Sequence, residues 1–423
     1  MSLKKNIFAN YAGTGVAALA PILALPWYLS ALGAELWGLI GFIVTLQAVL
    51  GLLDAGMSQA LVREFAIRLG DADKAEHRTA TLLYGFERFY WGFALLAGLV
   101  TILFAGPLAT GWLKLGTVAE EQGRLAVYGA AAIFAAQFPG SVYRSLLVGA
   151  QAQVVLNAII SAGALIRHAG GVVVVLTWPT LTAYLCWHAA AVLAETLVRA
   201  AKSWDILGIK RPEVRRAWTD MRQVLGQVAA MSGATLLGAL TIQMDKIILS
   251  RMVPIEQFGY YVIAASVAGG VLTLIYPIIQ AILPRAVLLR DNPSALLRLN
   301  VAYAALILLL VGAGALSYFL FGQELIEMWL RNAPISARVH SLLTVLLIGS
   351  ALNALYTVGY VNWIVKGSIG KVLQVNAISL VLCLVLIPIM IERFGLIGAA
   401  VGWLTMNALG LLFSLGWLLP AKK

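Results

Sequence analysis

Arg167 lies about halfway along the apolar stretch 154–176, with His168 beside it. An ionised side chain at the centre of a lipid-facing helix costs about 2.5–3.5 kcal/mol, so such a residue is expected to face a protein interior or a water-filled cavity. The same reasoning picks out Asp245 and Lys246 in 224–250, Asp54 two-thirds of the way along 37–61, Arg144 at the end of 125–147, and Glu87 and Arg88 near the start of 82–105. A guanidinium offers a planar fork of donors suited to phosphate oxygens. A carboxylate inside a membrane is a candidate carrier of a coupling ion, H⁺ or Na⁺. Each group also has a simpler reading. Asp245 and Lys246 could pair with other helices as structure, and Arg63, Arg144 and Arg285, close to the ends of apolar runs, could snorkel to the interface. For Arg167 and Asp54, depth favours an interior polar role.

Polar residues also recur at helical spacing. Asn157, Ser161 and His168 share one face of a helix. So do Ser266, Gly269, Thr273, Tyr276 and Gln280, and so do Asn353, Tyr356, Tyr360 and Trp363. Such stripes fit a wet cavity with aromatic surfaces suited to sugar rings. They also fit helix–helix packing through small and polar residues.

The elements that must position these groups are membrane helices. Hydrophobic residues make up 61% of the 423 and charged residues 12%, against about 25% charged in an ordinary soluble domain. So few charges cannot cover a water-facing surface. A span needs about 20 apolar residues. The chain supplies twelve candidates: 7–30, 37–61, 82–105, 125–147, 154–176, 180–199, 224–250, 258–283, 299–321, 337–363, 372–391 and 396–419. The first is too long for the apolar core of a signal peptide and lacks a small-residue cleavage site. Pro21, Pro26, Pro277 and Pro284 can kink spans one and eight. Cys186 and Cys383 both fall in apolar runs and read as packing residues, not as a disulfide framework.

An even number of spans puts both termini on one side. That side carries 21 Lys and Arg and the opposite side 6, with three more inside spans, which accounts for all 30. The positive-inside rule makes both termini cytoplasmic. The net charge of +11 is then a topology signal and calls for no nucleic-acid partner. The expected organisation is a six-helix lobe over 1–200, a basic amphipathic connector over 201–223 held near anionic lipid headgroups, and a second six-helix lobe over 224–423. An offset of 221 residues aligns Glu35 with Glu256, Trp37 with Phe258, Gly38 with Gly259, Gln59 with Gln280 and Ala60 with Ala281. That spacing suits two parallel halves, a known transporter architecture.

Several chemistries lack a motif. Gly367–Lys371 does not have the spacing of a nucleotide-binding loop. No His-Glu-x-x-His or Cys-x-x-Cys occurs, and the four histidines are scattered. No cofactor, metal centre or enzymatic reaction is expected, so an ion gradient, the membrane potential or the substrate gradient would drive transport.

Three segments carry a family resemblance: Leu52–Arg63 (LLDAGMSQALVR), Met244–Arg251 (MDKIILSR) followed by Phe258-Gly259-Tyr260-Tyr261, and Leu32–Gly38 (LGAELWG). Together they resemble the Wzx-type O-antigen flippases and polysaccharide transporters of the multidrug/oligosaccharidyl-lipid/polysaccharide (MOP) exporter superfamily. The resemblance implies an all-α integral membrane fold of about 12 transmembrane helices in two six-helix lobes. It implies a substrate, an undecaprenyl-pyrophosphate-linked oligosaccharide, turned from the inner to the outer leaflet of the bacterial inner membrane by alternating access. The product would be an O-antigen, capsule or exopolysaccharide repeat unit. On this reading Arg63, Arg144 and Arg285 meet the pyrophosphate at the inner mouth and Arg167 holds it deeper. Asn157, Ser161, His168, Thr273, Gln280, Asn353, Tyr356 and Tyr360 line the cavity. Asp54, Asp245 and Lys246 are the ion-coupling candidates. The expected partners are the lipid-linked oligosaccharide and membrane lipids; whether a polysaccharide polymerase and chain-length machinery work beside the protein stays open. Two alternatives remain: an ion-coupled drug exporter of the same superfamily, and a membrane glycan polymerase or ligase. A deep Arg suits an anionic substrate over a cationic drug. An external loop of about twenty residues (106–124) is short for the enzyme class.

Overall fold

In a bilayer core no water is available to pair backbone N–H and C=O groups, so the long apolar runs satisfy them internally as helices. The computed structural model describes residues 3–54, 56–70, 75–209 and 214–418, and among these all regular structure is helical. In chain order the α-helices are α1 (Leu3–Gly51), α2 (Met57–Gly70), α3 (Ala75–Leu103), α4 (Glu120–Gln137), α5 (Gly140–Gly149), α6 (Gln153–Thr177) and α7 (Leu181–Leu207). They continue as α8 (Val214–Met252), α9 (Ile255–Leu288), α10 (Pro293–Leu330), α11 (Ala333–Val365), α12 (Ile369–Phe394) and α13 (Leu396–Ser414).

Among the described residues, ten helical runs are long and apolar enough to cross a membrane, and the chain is a multi-pass membrane protein. One of them, Gly13–Asp54, has 42 residues. At 1.5 Å per residue that is about twice the ~30 Å hydrocarbon core. Gly33 within it has φ 81° and ψ 169°, a conformation open to glycine because it has no Cβ. The run therefore holds the first two expected spans, joined at Gly33. The helix continues through Pro21 and Pro26, so neither proline breaks it. The expected span 224–250 lies within α8, which is not among the ten.

Two spans differ from the sequence expectation. The second does not run on to residue 61. It ends in a 3-10 turn at Leu52–Asp54, Gly56 follows at φ 82°, and α2 starts afresh at Met57. The fourth is broken at Phe138–Pro139 into α4 and α5, because Pro139 brings no N–H to the helix ladder. In the loop expected over 106–124, Pro107–Trp112 forms a single wide helical turn. Residues 210–213 of the expected connector lie outside the described residues, as do the side chains of Val214–Arg216 and Tyr276.

The chain folds into two compact units, Met1–Ala239 and Leu240–Lys423. In the first, α1 packs on α4 and α6, α4 and α6 pack on α7, and the short α2 packs on α5. Its core includes Leu61, Phe65, Leu83, Phe86, Tyr90, Phe138, Val142 and Leu146. In the second, α11 is central, with α9, α10 and α13 against it and α12 against α13. Side-chain caps fix several helix starts. Asn292 accepts from the Ala295 N–H ahead of α10, Asn332 from the Ile335 N–H ahead of α11, and Thr180 from the Ala183 N–H ahead of α7.

At an offset of 221 residues Gly33 corresponds to Pro254, where α8 gives way to α9. The breaks at 52–56 and 138–139 have no counterpart: α9 and α11 are continuous through the equivalent positions. Those two extra breaks flank Asp54 and Arg144.

Candidate functional site

Midway along α7 the apolar run is interrupted by Glu195, one helical turn before Arg199. The two carboxylate oxygens of Glu195 are taken by different cations. Arg167 of α6 donates to Oε2 through Nη2, and Arg199 donates to Oε1 through Nη2. The Glu195 side chain is 7% exposed, Arg199 14% and Arg167 26%. Two glycines make room for this cluster. A Cβ at Gly163 would lie 2.5 Å from Glu195 Oε2, and one at Gly140 would lie 3.2 Å from Arg199 Nη1. The Nε donors of Arg167 and Arg199 are buried with no hydrogen-bond partner.

The polar chain extends in both directions. Arg144 of α5 lies within electrostatic reach of Arg199 and also faces Asp54. Asp54 accepts from Ser58 Oγ at 2.5 Å and from Tyr90 Oη at 2.5 Å, with Ser141 also facing it. The two helix breaks hold this arrangement together, since Ser145 of α5 donates to the Ser58 carbonyl of α2 at 3.0 Å. On the other side of Arg167 is a ring cluster. His168 and His188 have ring centroids 5.7 Å apart, and Tyr184 stacks on His188 at 3.8 Å. Tyr28 meets the Tyr184 ring edge-on at 5.2 Å and donates to the His168 carbonyl at 3.0 Å. His168 Nδ1 and His188 Nε2 are buried and unpartnered. Trp187 donates to the Arg167 carbonyl at 3.1 Å.

The structure thus brings Arg144, Arg167, His168 and Asp54 into one continuous cluster inside the first unit. Asn157 lies apart from it, its amide donating to Asn10 at 2.5 Å and to the Gln153 carbonyl at 2.8 Å. Ser161 is half-buried on the same helix, and Arg63 is exposed on α2.

The second unit has a different character. Asp245 is 5% exposed and accepts from Tyr261 Oη at 2.6 Å, with Lys246 Nζ at 3.4 Å. Other buried contacts there are neutral. Asn353 donates to Asn407 at 2.6 Å, Asn300 donates to Asn362 at 3.0 Å, and Tyr303 pairs with Thr357 at 2.8 Å. Tyr356 lies 6.1 Å from Tyr360 and 6.0 Å from Trp363, ring to ring. Thr273 donates back to the Gly269 carbonyl at 3.2 Å, and Gln280 and Arg285 are exposed along α9.

The central residue, Glu195, escapes the sequence reading. Its signal was present: a carboxylate inside the apolar run 180–199, four residues before an Arg, is a helical ion pair waiting for a third partner. Tyr28, Tyr184 and His188 carry no such signal, because their meeting with His168 depends on three helices.

Among known proteins, a Shigella flexneri protein named "Putative O-antigen transporter" is 22% identical over 411 residues, covering 95% of this chain and 94% of that one. Among solved structures, the lipid II flippase MurJ in its inward closed conformation superimposes with a TM-score of 0.75 at 13% identity, over 98% of this chain and 87% of MurJ. A multidrug resistance MATE family transporter of the MOP superfamily, inward-facing, gives 0.65 at 16% identity, over 98% and 94%. The Vibrio cholerae MATE transporter VcmN gives 0.61 at 16% identity, over 98% and 96%. The fold is that of the MOP-superfamily transporters. Residues 3–288, about two thirds of the chain, match the family of polysaccharide biosynthesis proteins, and the chain belongs to that family.

Proposed function

We propose that this protein is a flippase. It turns an undecaprenyl-pyrophosphate-linked oligosaccharide from the inner to the outer leaflet of the bacterial inner membrane by alternating access, with both termini cytoplasmic. The observation that carries the reading is the pair Arg167 and Arg199 on the single carboxylate of Glu195, with Arg144 within electrostatic reach of Arg199, all within membrane helices. Three guanidinium groups against one carboxylate leave an excess of two positive charges, or one when Asp54 is counted. A diphosphate esterified at both ends carries two negative charges, and it must leave the headgroup region to cross. Arginine forks supply both the charge and the geometry that compensate its lost hydration.

The other groups take roles around that step. Arg63, exposed midway along the short α2, and Arg285, exposed in the last turn of α9, meet the headgroup at the inner face, while Arg144 and Arg167 take it deeper. The neutral amides and aromatic rings of the second unit, Asn353, Tyr356 and Tyr360 among them, suit sugar hydroxyls and ring faces. Asp54, Asp245 and Lys246 remain the candidates for ion coupling. Transport of this kind needs no chemical step on the sugar. The relatedness to a protein named as an O-antigen transporter supports the same substrate class.

The test is reconstitution of the full chain and an Arg167→Ala variant in vesicles. Movement of a lipid-pyrophosphate-linked oligosaccharide between leaflets is followed, with thermal stability measured alongside. Flipping by the native chain, lost in a folded variant, is the expected result. Failure of the native chain to flip, with export of a cationic dye instead, would overturn it in favour of a drug exporter.

A further inference from the structure

The cations best placed to hold a phosphate group are already occupied. Arg167 and Arg199 converge on one carboxylate from two helices, each giving a single nitrogen to a single oxygen of Glu195. This is the arrangement a bridging phosphate would adopt, with a side chain in the phosphate's place. Each arginine also keeps a buried Nε–H with no acceptor. Buried polar groups are nearly always partnered, so an unmatched guanidinium donor points to a missing acceptor. Two such donors beside one carboxylate mark a site with more donor capacity than Glu195 can use.

We propose that Glu195 is a built-in occupant of a two-arginine phosphate site, and that a diphosphate binds by displacing it. This deepens the flippase reading and rests on it for the nature of the diphosphate. A diphosphate brings more acceptor oxygens than a carboxylate, enough for the donors that Glu195 leaves unmatched. The displaced carboxylate moves off the two arginines as the diphosphate enters and returns to them when it leaves. The charged and polar groups around this exchange are Arg167 and His168 on α6, His188, Tyr184 and Arg199 on α7, Arg144 on α5, and Tyr28 on α1. In the resting state Glu195 blocks the site against small anions, because an occupant must outcompete an internal ion pair.

The experiment uses the full chain in lipid nanodiscs, with undecaprenyl-pyrophosphate-linked N-acetylglucosamine as the probe. Affinity is measured at neutral pH for the native chain, Glu195→Gln and Gly163→Ala. Glu195→Gln removes the charge and keeps the shape. Gly163→Ala keeps every charge but drives a methyl against the Glu195 carboxylate, the movable end of a flexible side chain. The expected result has two parts. Glu195→Gln binds at least about tenfold more tightly than the native chain. Gly163→Ala shifts in the same direction by a smaller factor. If Glu195→Gln binds no more tightly than the native chain, Glu195 only braces the arginines and the proposal is overturned. If none of the three binds the probe, the proposal is also overturned. The flipping assay then separately decides the flippase reading, which survives if the native chain still moves the full lipid-linked oligosaccharide.

Discussion

Replacing Glu195 with Ala should destabilise the protein more than removing either of its partners, and removing a partner as well should restore part of the loss. Glu195 is the carboxylate that Arg167 and Arg199 share, and its side chain is 7% exposed. Its deletion leaves two guanidinium groups, 26% and 14% exposed, without their counter-charge. Breaking a buried pair from one side costs about 3–5 kcal/mol, most of it the uncompensated charge that remains. Arg167→Met is different in kind. It keeps an unbranched apolar stem and leaves Glu195 paired with Arg199, so its cost should stay at about 1–2 kcal/mol, the worth of one hydrogen bond to a charged group. The double variant removes the carboxylate and one of the two stranded cations, so it should be more stable than Glu195→Ala alone by about 1–2 kcal/mol. The order of stability is then native, Arg167→Met, the double variant, Glu195→Ala. Equilibrium unfolding in mixed micelles, followed by tryptophan fluorescence, reads all four. Strict additivity of the two single effects, within about 0.5 kcal/mol, would mean that the residues do not act on each other in the folded protein. That result would refute the charge-cluster reasoning.

Gly398→Ala, in the first turn of α13, would bring a methyl to 2.1 Å from the Met390 carbonyl oxygen of α12. Backbone cannot swing aside as a side chain can, so a loss of about 1–3 kcal/mol is expected in thermal unfolding. Gly402→Ala meets only the Ile387 side chain and should cost less in the same measurement. Orientation is open to direct labelling in a background without Cys186 and Cys383. Single cysteines replacing the exposed Lys202 and Arg290 should react with a membrane-impermeant maleimide only from the cytoplasmic side. Those replacing the exposed Arg124 and Arg331 should react only from the outside. The reverse pattern would invert the topology.

Long apolar runs made the helices legible, because a bilayer admits few other structures. The break at Gly33 could be anticipated from the gap between the first two expected spans, 7–30 and 37–61. The breaks at Gly56 and Pro139 were hidden, since both fall inside runs whose hydropathy continues unbroken. Hydropathy measures whether a segment prefers lipid and says little about where its backbone turns. Arg167 and Asp54 were found by depth alone. Glu195 was passed over, although its spacing from Arg199 was visible.

The sequence by itself determined that this chain lives in a membrane, roughly where it crosses, and that it carries ionisable groups too costly to face lipid. Composition and period suffice for this, because the bilayer sets a length and a polarity that each segment must meet alone. Only the tertiary structure decided which charges meet. Arg167 and Glu195 are 28 residues apart, on antiparallel neighbouring helices, and Asp54 reaches Tyr90 and Arg144 only because two helices break beside it. Partnering in an interior depends on helix rotation and on gaps such as Gly163 and Gly140, which are properties of packed surfaces and not of any single segment.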